Sequence, residues 1–307
     1  MNQPQSGILP EANSNALFLR LALDYAVGDM ANRVRRACAT FAEMTRQVGE
    51  LDADAGLSSV VAFGPGAWSC LYPVEAPSGL RLFRAREEGA RQAPSTPADL
   101  LLHIRSERAD LNYELAKRMR GELGDCVRVL DEVAGFRYLD ARDLTGFVDG
   151  TENPEGDERA EVALVGPAEP VHAGGSYIMM QRYEHDLARW ETLKVDEQEA
   201  VIGRSKPDDV ELPEERKPAS AHISRVVIEE DGEELEILRH SMPFGGADLA
   251  GLVFIAYCHT PDIFDRMLDR MYQSDEQGVY DHLMDYTRAV TGNFFFAPST
   301  DFLLAQA

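Results

Sequence analysis

An α+β fold with an internal duplication is predicted by an order of elements that recurs in the two halves of the sequence. The segments LLLHIRSERADLNYELAKRMRG and GLVFIAYCHTPDIFDRMLDRMYQ begin at Leu100 and Gly251, and both run from an apolar strand through a polar break into an amphipathic helix. At 307 residues the chain is long enough for two domains or one large one. Its hydrophobic fraction of 44% is too high for a disordered acidic chain.

In the first half, apolar or alternating runs indicate strands, and apolar residues that recur every three to four positions indicate helices. The predicted helix that begins at Asp29 has Val34, Cys38 and Phe41 on one face. In chain order we predict a strand at 16–23, a helix at 29–50, strands at 58–63 and 68–72, a long loop at 75–99, a strand at 100–105, a helix at 109–123 and a strand at 126–130.

The second half contains a strong hairpin signal. The segment SRVVIEEDGEELEILRH has Asp231-Gly232 at its centre, and Asp-Gly between apolar arms favours a two-residue turn. In chain order we predict a strand at 177–181, helical stretches over 185–202, this hairpin, a strand at 252–257, a helix at 262–272 and a strand at 294–296.

Each half therefore approximates βαββαβ, the arrangement of ferredoxin-like units. We predict two such units whose antiparallel sheets pack together and cover each other. The division we expect is an N-terminal unit at 1–140, an interdomain segment at 141–175 and a C-terminal unit at 176–307. The segment between the units is indicated by a lapse of helical periodicity and by accumulated Gly and Pro over 138–174.

Charge excludes several classes of partner. The chain has 30 Lys and Arg against 53 Asp and Glu, a formal net charge of −23, which repels nucleic acid and anionic membrane surfaces. The sequence contains no window of about 18 apolar residues, so no transmembrane helix is predicted. The N-terminus lacks the pattern of a signal peptide. The four cysteines are widely spaced with no CxxC pair, as in buried thiols of a cytoplasmic protein, which is the location we expect.

Three features carry candidate chemistry. In GFVDGTENPEGDER, Gly146 and Gly150 flank Asp149, and glycines around an acid permit positive φ and close backbone approach to a ligand; an acidic surface loop has the same pattern. His222 in KPASAHISR precedes a predicted strand, and a lone histidine is more often solvated than a metal ligand. Arg239 in ILRHSMPFG lies on the returning hairpin arm, where arginines commonly form surface ion pairs.

Taken together, these residues resemble the dye-decolorising peroxidase family, and most closely its bacterial B-type branch. GFVDGTENP, a histidine 73 residues after Asp149 and an arginine 17 residues further on are the specific parts of the match. The resemblance extends from SGILPE near the N-terminus through VVAFG to VTGNFFFAPS near the C-terminus. The duplicated ferredoxin-like fold of the family agrees with the repeat described above.

The resemblance implies a cofactor, one non-covalent haem b per chain, with His222 as the proximal iron ligand. The sequence has no CxxCH motif, which covalent attachment would require. A ligating histidine commonly donates its other N–H to a carboxylate, and Asp281 and Asp285 are the candidates, of which the family pattern favours Asp281. Gly150 and Arg204 are implied to border the haem, Arg204 by pairing a propionate; an exposed arginine at a helix end is the alternative.

The same resemblance assigns the peroxide side of the haem. Asp149 matches the distal acid and Arg239 the distal arginine. Ser241, two residues after Arg239, would lie on the same face of a strand and is a candidate for orienting a water molecule at the peroxide site. Asn153 falls where the family loop lines the distal side, although its side chain could instead only close the turn.

The implied activity is reduction of hydrogen peroxide through an oxoferryl intermediate, with one-electron oxidation of aromatic or dye-like substrates. Because Asp149 would lie near a positive arginine, we expect its pKa to be depressed and dye turnover to be fastest at about pH 4 to 5. Bulky dyes would need surface radicals, for which Trp190, Tyr183 and Tyr257 are candidates by residue type alone. The family also implies a homo-oligomer, a dimer or higher. We do not expect encapsulin as a partner, because the chain ends soon after the last predicted strand.

The hairpin gives a geometric expectation. A two-residue turn at Asp231-Gly232 would place His222 opposite Ser241, about 5 Å away between Cα atoms, which leaves no room for haem beside Arg239. The arms must therefore separate before His222, near Ser224, or the turn must be longer.

Two other functions are compatible with parts of this pattern. A haem-handling protein, which binds or carries haem or releases its iron, would use the same His222 and Arg239. A cation-binding turn in GFVDGTENPEGDER is disfavoured, because its acids do not follow the EF-hand ligand spacing.

Overall fold

Residues 2–307 are described by the computed structural model of the chain. The strands are β1 (Asn15–Leu23), β2 (Ser58–Phe63), β3 (Arg86–Glu88), β4 (Arg91–Ala93), β5 (Leu100–Ser106), β6 (Val127–Phe136), β7 (Ser176–His185), β8 (Glu229–Glu230), β9 (Glu233–Glu234), β10 (Leu238–Arg239), β11 (Met242–Gly245), β12 (Ala250–Cys258), β13 (Thr287–Ala289) and β14 (Asn293–Ala297). The α-helices are α1 (Met30–Gly49), α2 (Pro65–Leu71), α3 (Ala109–Leu123), α4 (Glu158–Ala163), α5 (Leu187–Trp190), α6 (Val195–Ile202), α7 (His222–Val226), α8 (Asp262–Tyr272) and α9 (Thr300–Ala305). Short 3₁₀ helices span Ala53–Ala55, Gly124–Cys126 and His282–Asp285.

The predicted duplication is confirmed by the order of strands across the main sheet. That order is β10, β12, β7, β14, β2, β5, β1, β6, with β11 also paired to β12 and β13 to β7. In the first half, the strands lie side by side in the order β2, β5, β1, β6. Counted along the chain, these are the second, third, first and fourth strands of that half. The second half repeats this order, with β10 and β11 together as its second strand and β13 and β14 together as its fourth. Both halves are antiparallel ferredoxin-like sheets.

The two half-sheets pack face to face, as predicted, and they are also joined at one edge. A single bridge between Phe63 of β2 and Phe296 of β14 makes them one ten-stranded sheet. At the other edge β6 approaches β11 so closely that a Cβ on Gly135 would lie 2.9 Å from Cγ of Met242. One buried apolar cluster, which includes Phe18 and Ile255, fills the space between the half-sheets. A second cluster lies between the sheets and the helices.

Several elements differ from those predicted. Residues 68–72, predicted as a strand, are mostly helical in α2, which begins with Pro65 at a position where proline favours helix initiation. The predicted loop at 75–99 contains the β3–β4 hairpin. The segment after His222, predicted as a strand, begins with α7. The hairpin ladder is limited to two pairs, Glu229 with Glu234 and Glu230 with Glu233, so the two-residue turn is confirmed but the arms separate long before His222.

In residues 2–307, no helix has the length and apolar character needed to cross a membrane. All four cysteines are free thiols, and Cys38, Cys126 and Cys258 are buried while Cys70 is exposed.

Candidate active site

A large cavity lies in the second half of the molecule, on the helix side of the sheet. All of its lining residues come from position 143 onward, and most are apolar, such as Phe254 on β12 and Met267 on α8. Five of the eight predicted site residues line it: Asp149, Gly150, Arg204, His222 and Arg239. The fold therefore brings together side chains that are up to 90 positions apart in the sequence.

His222 is held by a buried carboxylate. Its Nδ1 lies 2.6 Å from Oδ2 of Asp281, which is 0% exposed, while the imidazole of His222 is 31% exposed. The other oxygen of Asp281 accepts a hydrogen bond from the backbone N–H of Leu283 at 2.9 Å. A carboxylate at this position selects the tautomer with hydrogen on Nδ1, so Nε2 carries a free lone pair. Asp281, rather than Asp285, is the partner of His222.

Arginine side chains explain why a helix, and not a strand, presents His222. Arg270 of α8 donates hydrogen bonds to the backbone carbonyls of Ser224 and Val227, which lie at the end of α7. In return, Nε of Arg225 donates to the carbonyl of Arg270. Carbonyl groups at a helix end need such partners. Helix α7 is thus fixed against α8, and His222 at its first position lies in the cavity instead of opposite Ser241.

Asp149 lies in a loop that closes on itself. Its N–H donates to the carbonyl of Ala141 at 2.9 Å, and Asp143 N–H donates to Phe147 at 2.8 Å. The guanidinium of Arg142 donates hydrogen bonds to the carbonyl of Gly146 within this loop, at 2.8 Å, and to the carbonyl of Lys206, at 2.7 Å. The second bond connects the loop to the segment that contains Lys206.

The expected depression of the pKa of Asp149 is not found. Burial raises the pKa above 3.8, its ordinary value, and this effect outweighs the opposing positive charge of Arg239. The negative charge of Asp143 raises the pKa further. Desolvation penalises the charged form of a carboxyl group, and here it exceeds the effect of one nearby cation.

Arg239 is positioned by the loop that follows Asp149. One of its terminal nitrogens donates to the carbonyl of Thr151, while its Nε has no partner within residues 2–307. The amide of Asn153 brackets the backbone of Arg239: Oδ1 accepts from the N–H at 2.8 Å, and Nδ2 donates to the carbonyl at 3.0 Å. Asn153 therefore neither lines the cavity nor merely closes its own turn, because it extends the edge of β10.

The remaining predicted residues have different surroundings. Arg204 is 14% exposed and pairs with Asp209 and Glu152, at 2.9 and 2.8 Å. Gly150 has φ +81° and open space where a Cβ would be, so its backbone faces the cavity without a side chain. Ser241 is not among the described cavity residues, and its hydroxyl accepts a 3.3 Å hydrogen bond from the N–H of Ile255 on β12.

One hydrogen-bonded pair of ionisable residues in the cavity, Asp143 and His185, was missed in the sequence. Asp143 Oδ1 lies 3.1 Å from Nε2 of His185, whose Nδ1 lies 2.8 Å from the hydroxyl of Thr287. Burial alone would raise the pKa of Asp143, but hydrogen bonds from His185 and Thr145, with the charge of His185, lower it. The Asx-type spacing of Asp143 and Thr145 was a possible signal, whereas nothing near His185 marks it in the sequence.

The side chains of the cavity fit a metal ion that is already coordinated by a macrocycle and needs only one protein ligand. Within residues 2–307, no group of three or more His, Cys, Asp or Glu side chains is arranged to hold a metal ion. His222 instead offers one nitrogen to a broad apolar cavity. A metal inside a macrocycle needs one such axial ligand, and an apolar lining accommodates the flat ring. Asp149 and Arg239 supply a proton acceptor and a fixed positive charge in the same cavity.

Comparisons with known proteins agree with this arrangement over nearly the whole chain. A family model described as "Dyp-type peroxidase, N-terminal" matches residues 5–137, and one described as "Dyp-type peroxidase, C-terminal" matches residues 140–302. A dye-decolorizing peroxidase of Mycobacterium tuberculosis is 44% identical over 299 residues, which are 96% of this chain and 88% of that protein.

Solved structures give the same result. A putative Dyp-type peroxidase of Shewanella oneidensis is 42% identical with a TM-score of 0.95, and the match covers 99% of both chains. A variant of DypB from Rhodococcus jostii, solved in complex with haem, is 39% identical with a TM-score of 0.94 over 98% of both chains. An encapsulated DyP-type peroxidase of Mycobacterium smegmatis is 40% identical with a TM-score of 0.95, over 99% of this chain and 98% of that one. The chain belongs to the Dyp-type peroxidase family, as its motifs predicted.

Proposed function

We propose that this peroxidase binds one non-covalent haem b, reduces hydrogen peroxide and oxidises aromatic substrates one electron at a time. The observation that carries the proposal is the convergence of three groups on one cavity: the His222–Asp281 pair, the half-buried Asp149 side chain and the guanidinium of Arg239. The His222–Asp281 pair would ligate the iron, and Asp149 and Arg239 would act on a peroxide bound there.

The residues present fit haem b. His222 would ligate the iron through Nε2, since Nδ1 is engaged by Asp281. Arg204 lines the cavity and would pair a propionate in place of part of its present contact with Glu152. Gly150 leaves room at the cavity wall. When bound, haem supplies an iron centre that accepts oxidising equivalents from peroxide and passes them on in one-electron steps.

Asp281 determines how strongly His222 donates to the iron. The fully buried carboxylate accepts the Nδ1 hydrogen and gives the imidazole partial imidazolate character. The bond from Leu283 N–H keeps the carboxylate in place as the N-cap of the last 3₁₀ helix. The orientation of His222 is therefore fixed before any cofactor binds.

Asp149 and Arg239 have different roles in the reaction with peroxide. Asp149, as the carboxylate, takes the proton from the oxygen of hydrogen peroxide that attaches to the site, and it returns that proton to the departing oxygen, which leaves as water. Arg239 stabilises the negative charge that develops on the departing oxygen. Asn153 and Thr151 hold Arg239 in position from its backbone and its guanidinium, respectively.

We further propose a cytoplasmic homo-oligomer, a dimer or higher, with the division 1–140, 141–175 and 176–307. The free thiols, three of them buried, support a reducing compartment. The confinement of the cavity to residues from Asp143 onward supports a C-terminal haem-binding unit. The oligomer follows from the family alone, and light scattering of the purified protein tests it.

Single-turnover kinetics test the proposed function. Haem-loaded wild-type protein is mixed with one equivalent of hydrogen peroxide in a stopped-flow spectrophotometer, alongside Asp149→Asn and Arg239→Leu. We expect rapid oxidation in the wild type and at least about a hundredfold slower reaction in one of the variants, since each removes a positioned catalytic group. Haem that binds but does not react with peroxide would contradict the proposal and would favour haem handling.

A further inference from the structure

The N-terminal segment, residues 5–11, is fixed to the first half of the molecule. The amide of Gln5 brackets the backbone of Val61 on β2, since it accepts from the N–H and donates to the carbonyl, both at 2.8 Å. The N–H of Gly7 donates to the carbonyl of Ser59 at 3.0 Å. A Cβ on Gly7 would lie 2.8 Å from the carbonyl carbon of Ser59, so glycine is needed for this close approach. The segment is therefore anchored on β2 before it reaches the second half.

Arg159 of α4 connects the N-terminal segment to the loop that contains Asn153. Its side chain is only 7% exposed. Two of its nitrogens donate to the carbonyls of Leu9 and Pro10, both at 2.7 Å. The third nitrogen donates to the carbonyl of Pro154 at 3.1 Å. One buried guanidinium thus joins two stretches of backbone that are more than 140 positions apart in the sequence.

Pro154 passes this restraint on to Arg239. It directly follows Asn153, whose amide forms two hydrogen bonds with the backbone of Arg239. The ring of a proline fixes its own φ and also restricts the backbone of the residue before it. Few free dihedral angles therefore separate the carbonyl held by Arg159 from the amide of Asn153.

His240 provides a second connection between the N-terminal segment and Arg239. Its Nε2 donates to the carbonyl of Ile8 at 2.7 Å. Burial lowers the pKa of His240 well below its ordinary value, and the positive charge of Arg105 lowers it further, so the imidazole is neutral with its hydrogen on Nε2. The backbone N–H of His240 donates to Ile255 at 2.9 Å. These two bonds fix the backbone from which the guanidinium of Arg239 extends.

We propose that Arg159 and His240 are positioning residues of the peroxide site, which hold Arg239 in place from the N-terminal segment. The proposal rests on the proposed haem peroxidase function, in which Arg239 stabilises the charge that develops on peroxide. In residues 2–307, no residue before Asp143 lines the cavity. The arrangement nevertheless gives the first half a part in the reaction, and it gives a role to the motif SGILPE.

The experiment compares Arg159→Met with Arg20→Met. Methionine keeps an unbranched side chain but donates no hydrogen bond. Arg20 of β1 is the matched control, because its side chain is also 7% exposed and also donates to a backbone carbonyl, that of Thr96 at 2.9 Å. Arg159→Lys keeps the charge and part of the hydrogen bonding. Urea unfolding of each haem-loaded variant measures the loss of stability.

Three properties are then measured on the haem-loaded, full-length variants. The affinity of the ferric protein for fluoride reports the hydrogen bonds that the peroxide site donates to a small anion on the iron. Stopped-flow mixing gives the rate constant for the reaction with hydrogen peroxide. Hydrogen exchange with mass spectrometry reports the local opening of residues 146–154.

In Arg159→Met we expect fluoride to bind about tenfold more weakly and the peroxide rate constant to fall by about 10- to 100-fold. Exchange over 146–154 should be faster, and Arg159→Lys should be intermediate in all three properties. Arg20→Met should lose similar stability and keep the wild-type values. His240→Gln, whose amide can donate to Ile8, should keep more fluoride affinity than His240→Leu.

The outcomes separate the positioning role from the proposed function. If Arg159→Met and Arg20→Met have the same fluoride affinity and the same exchange over 146–154, the role of Arg159 is refuted while the peroxidase function stands. Equal fluoride affinities in His240→Gln and His240→Leu would refute the role of His240. If wild type binds haem and fluoride but does not react with peroxide, the proposed function itself has failed.

Discussion

Asn153 provides a sharp test of how the cavity is assembled. Its amide forms two hydrogen bonds with the backbone of Arg239, at 2.8 and 3.0 Å, across 86 positions of sequence. Asn153→Ala removes both bonds and leaves the guanidinium of Arg239 held mainly by Thr151. We expect two effects, one on stability and one on the reaction with peroxide.

The magnitudes follow from this geometry. Two hydrogen bonds at about 0.5–1.5 kcal/mol each predict that the free energy of unfolding falls by about 1–3 kcal/mol. If the substitution lets the guanidinium of Arg239 move by about 1 Å from the charge that develops on peroxide, we expect the rate constant for the reaction with peroxide to fall by about 10- to 100-fold. Urea unfolding measures the first quantity, and stopped-flow reaction of haem-loaded protein with peroxide measures the second.

Asn112→Ala is a matched control, because Asn112 also forms two side-chain hydrogen bonds, with Ser106 and the carbonyl of Asn15, in the other half of the molecule. It should lose similar stability with no change in the peroxide rate constant. If Asn153→Ala and Asn112→Ala behave alike in both assays, Asn153 does not position Arg239 for the reaction and the reasoning is refuted.

Three further predictions concern the same cavity. Because burial raises the pKa of Asp149 and its carboxylate is the active form, the peroxide rate should fall as pH drops through a value above 3.8, and Asp149→Asn should abolish that limb of the stopped-flow pH profile. Asp281→Asn exchanges a charge-assisted hydrogen bond for a neutral one, worth about 1.4 kcal/mol, so spectroelectrochemistry should show the haem potential raised by about 60 mV; an unchanged potential would contradict the role of Asp281. Ser241→Ala should leave the peroxide rate within about twofold, since its hydroxyl accepts one hydrogen bond from Ile255, and a tenfold loss would place it in the reaction.

The fold was largely predictable because its strands and long helices carry strong periodic patterns. The helix at 109–123 and the strand at 58–63 have the predicted bounds. The errors lie where local and tertiary preferences conflict. The β-branched run after His222 favours a strand, but Arg270 caps the carbonyls of Ser224 and Val227 and stabilises a helix. The strand at 68–72 was predicted because Gly64-Pro65-Gly66 favours a turn, whereas Pro65 in fact begins a helix.

The site was predictable where a motif marks it, and not where contacts alone create it. Asp149, His222 and Arg239 were identified by the family resemblance. The Asp143–His185 pair and the bonds of Asn153 to Arg239 join segments 42 and 86 positions apart, and no local pattern specifies them. The sign of the pKa shift of Asp149 was missed because a sequence reveals a neighbouring charge more readily than the depth of burial.

The most direct test of the account is the spectrum of the His222→Ala variant. Haem is added to wild type, His222→Ala and His282→Ala, the last being an exposed histidine in the segment that follows Asp281. We predict that the Soret band and the low-temperature paramagnetic resonance signal of histidine-ligated iron are lost in His222→Ala, recover with added imidazole and are unchanged in His282→Ala. A wild-type spectrum in His222→Ala without imidazole would contradict the assignment of His222 and, with it, the proposed site.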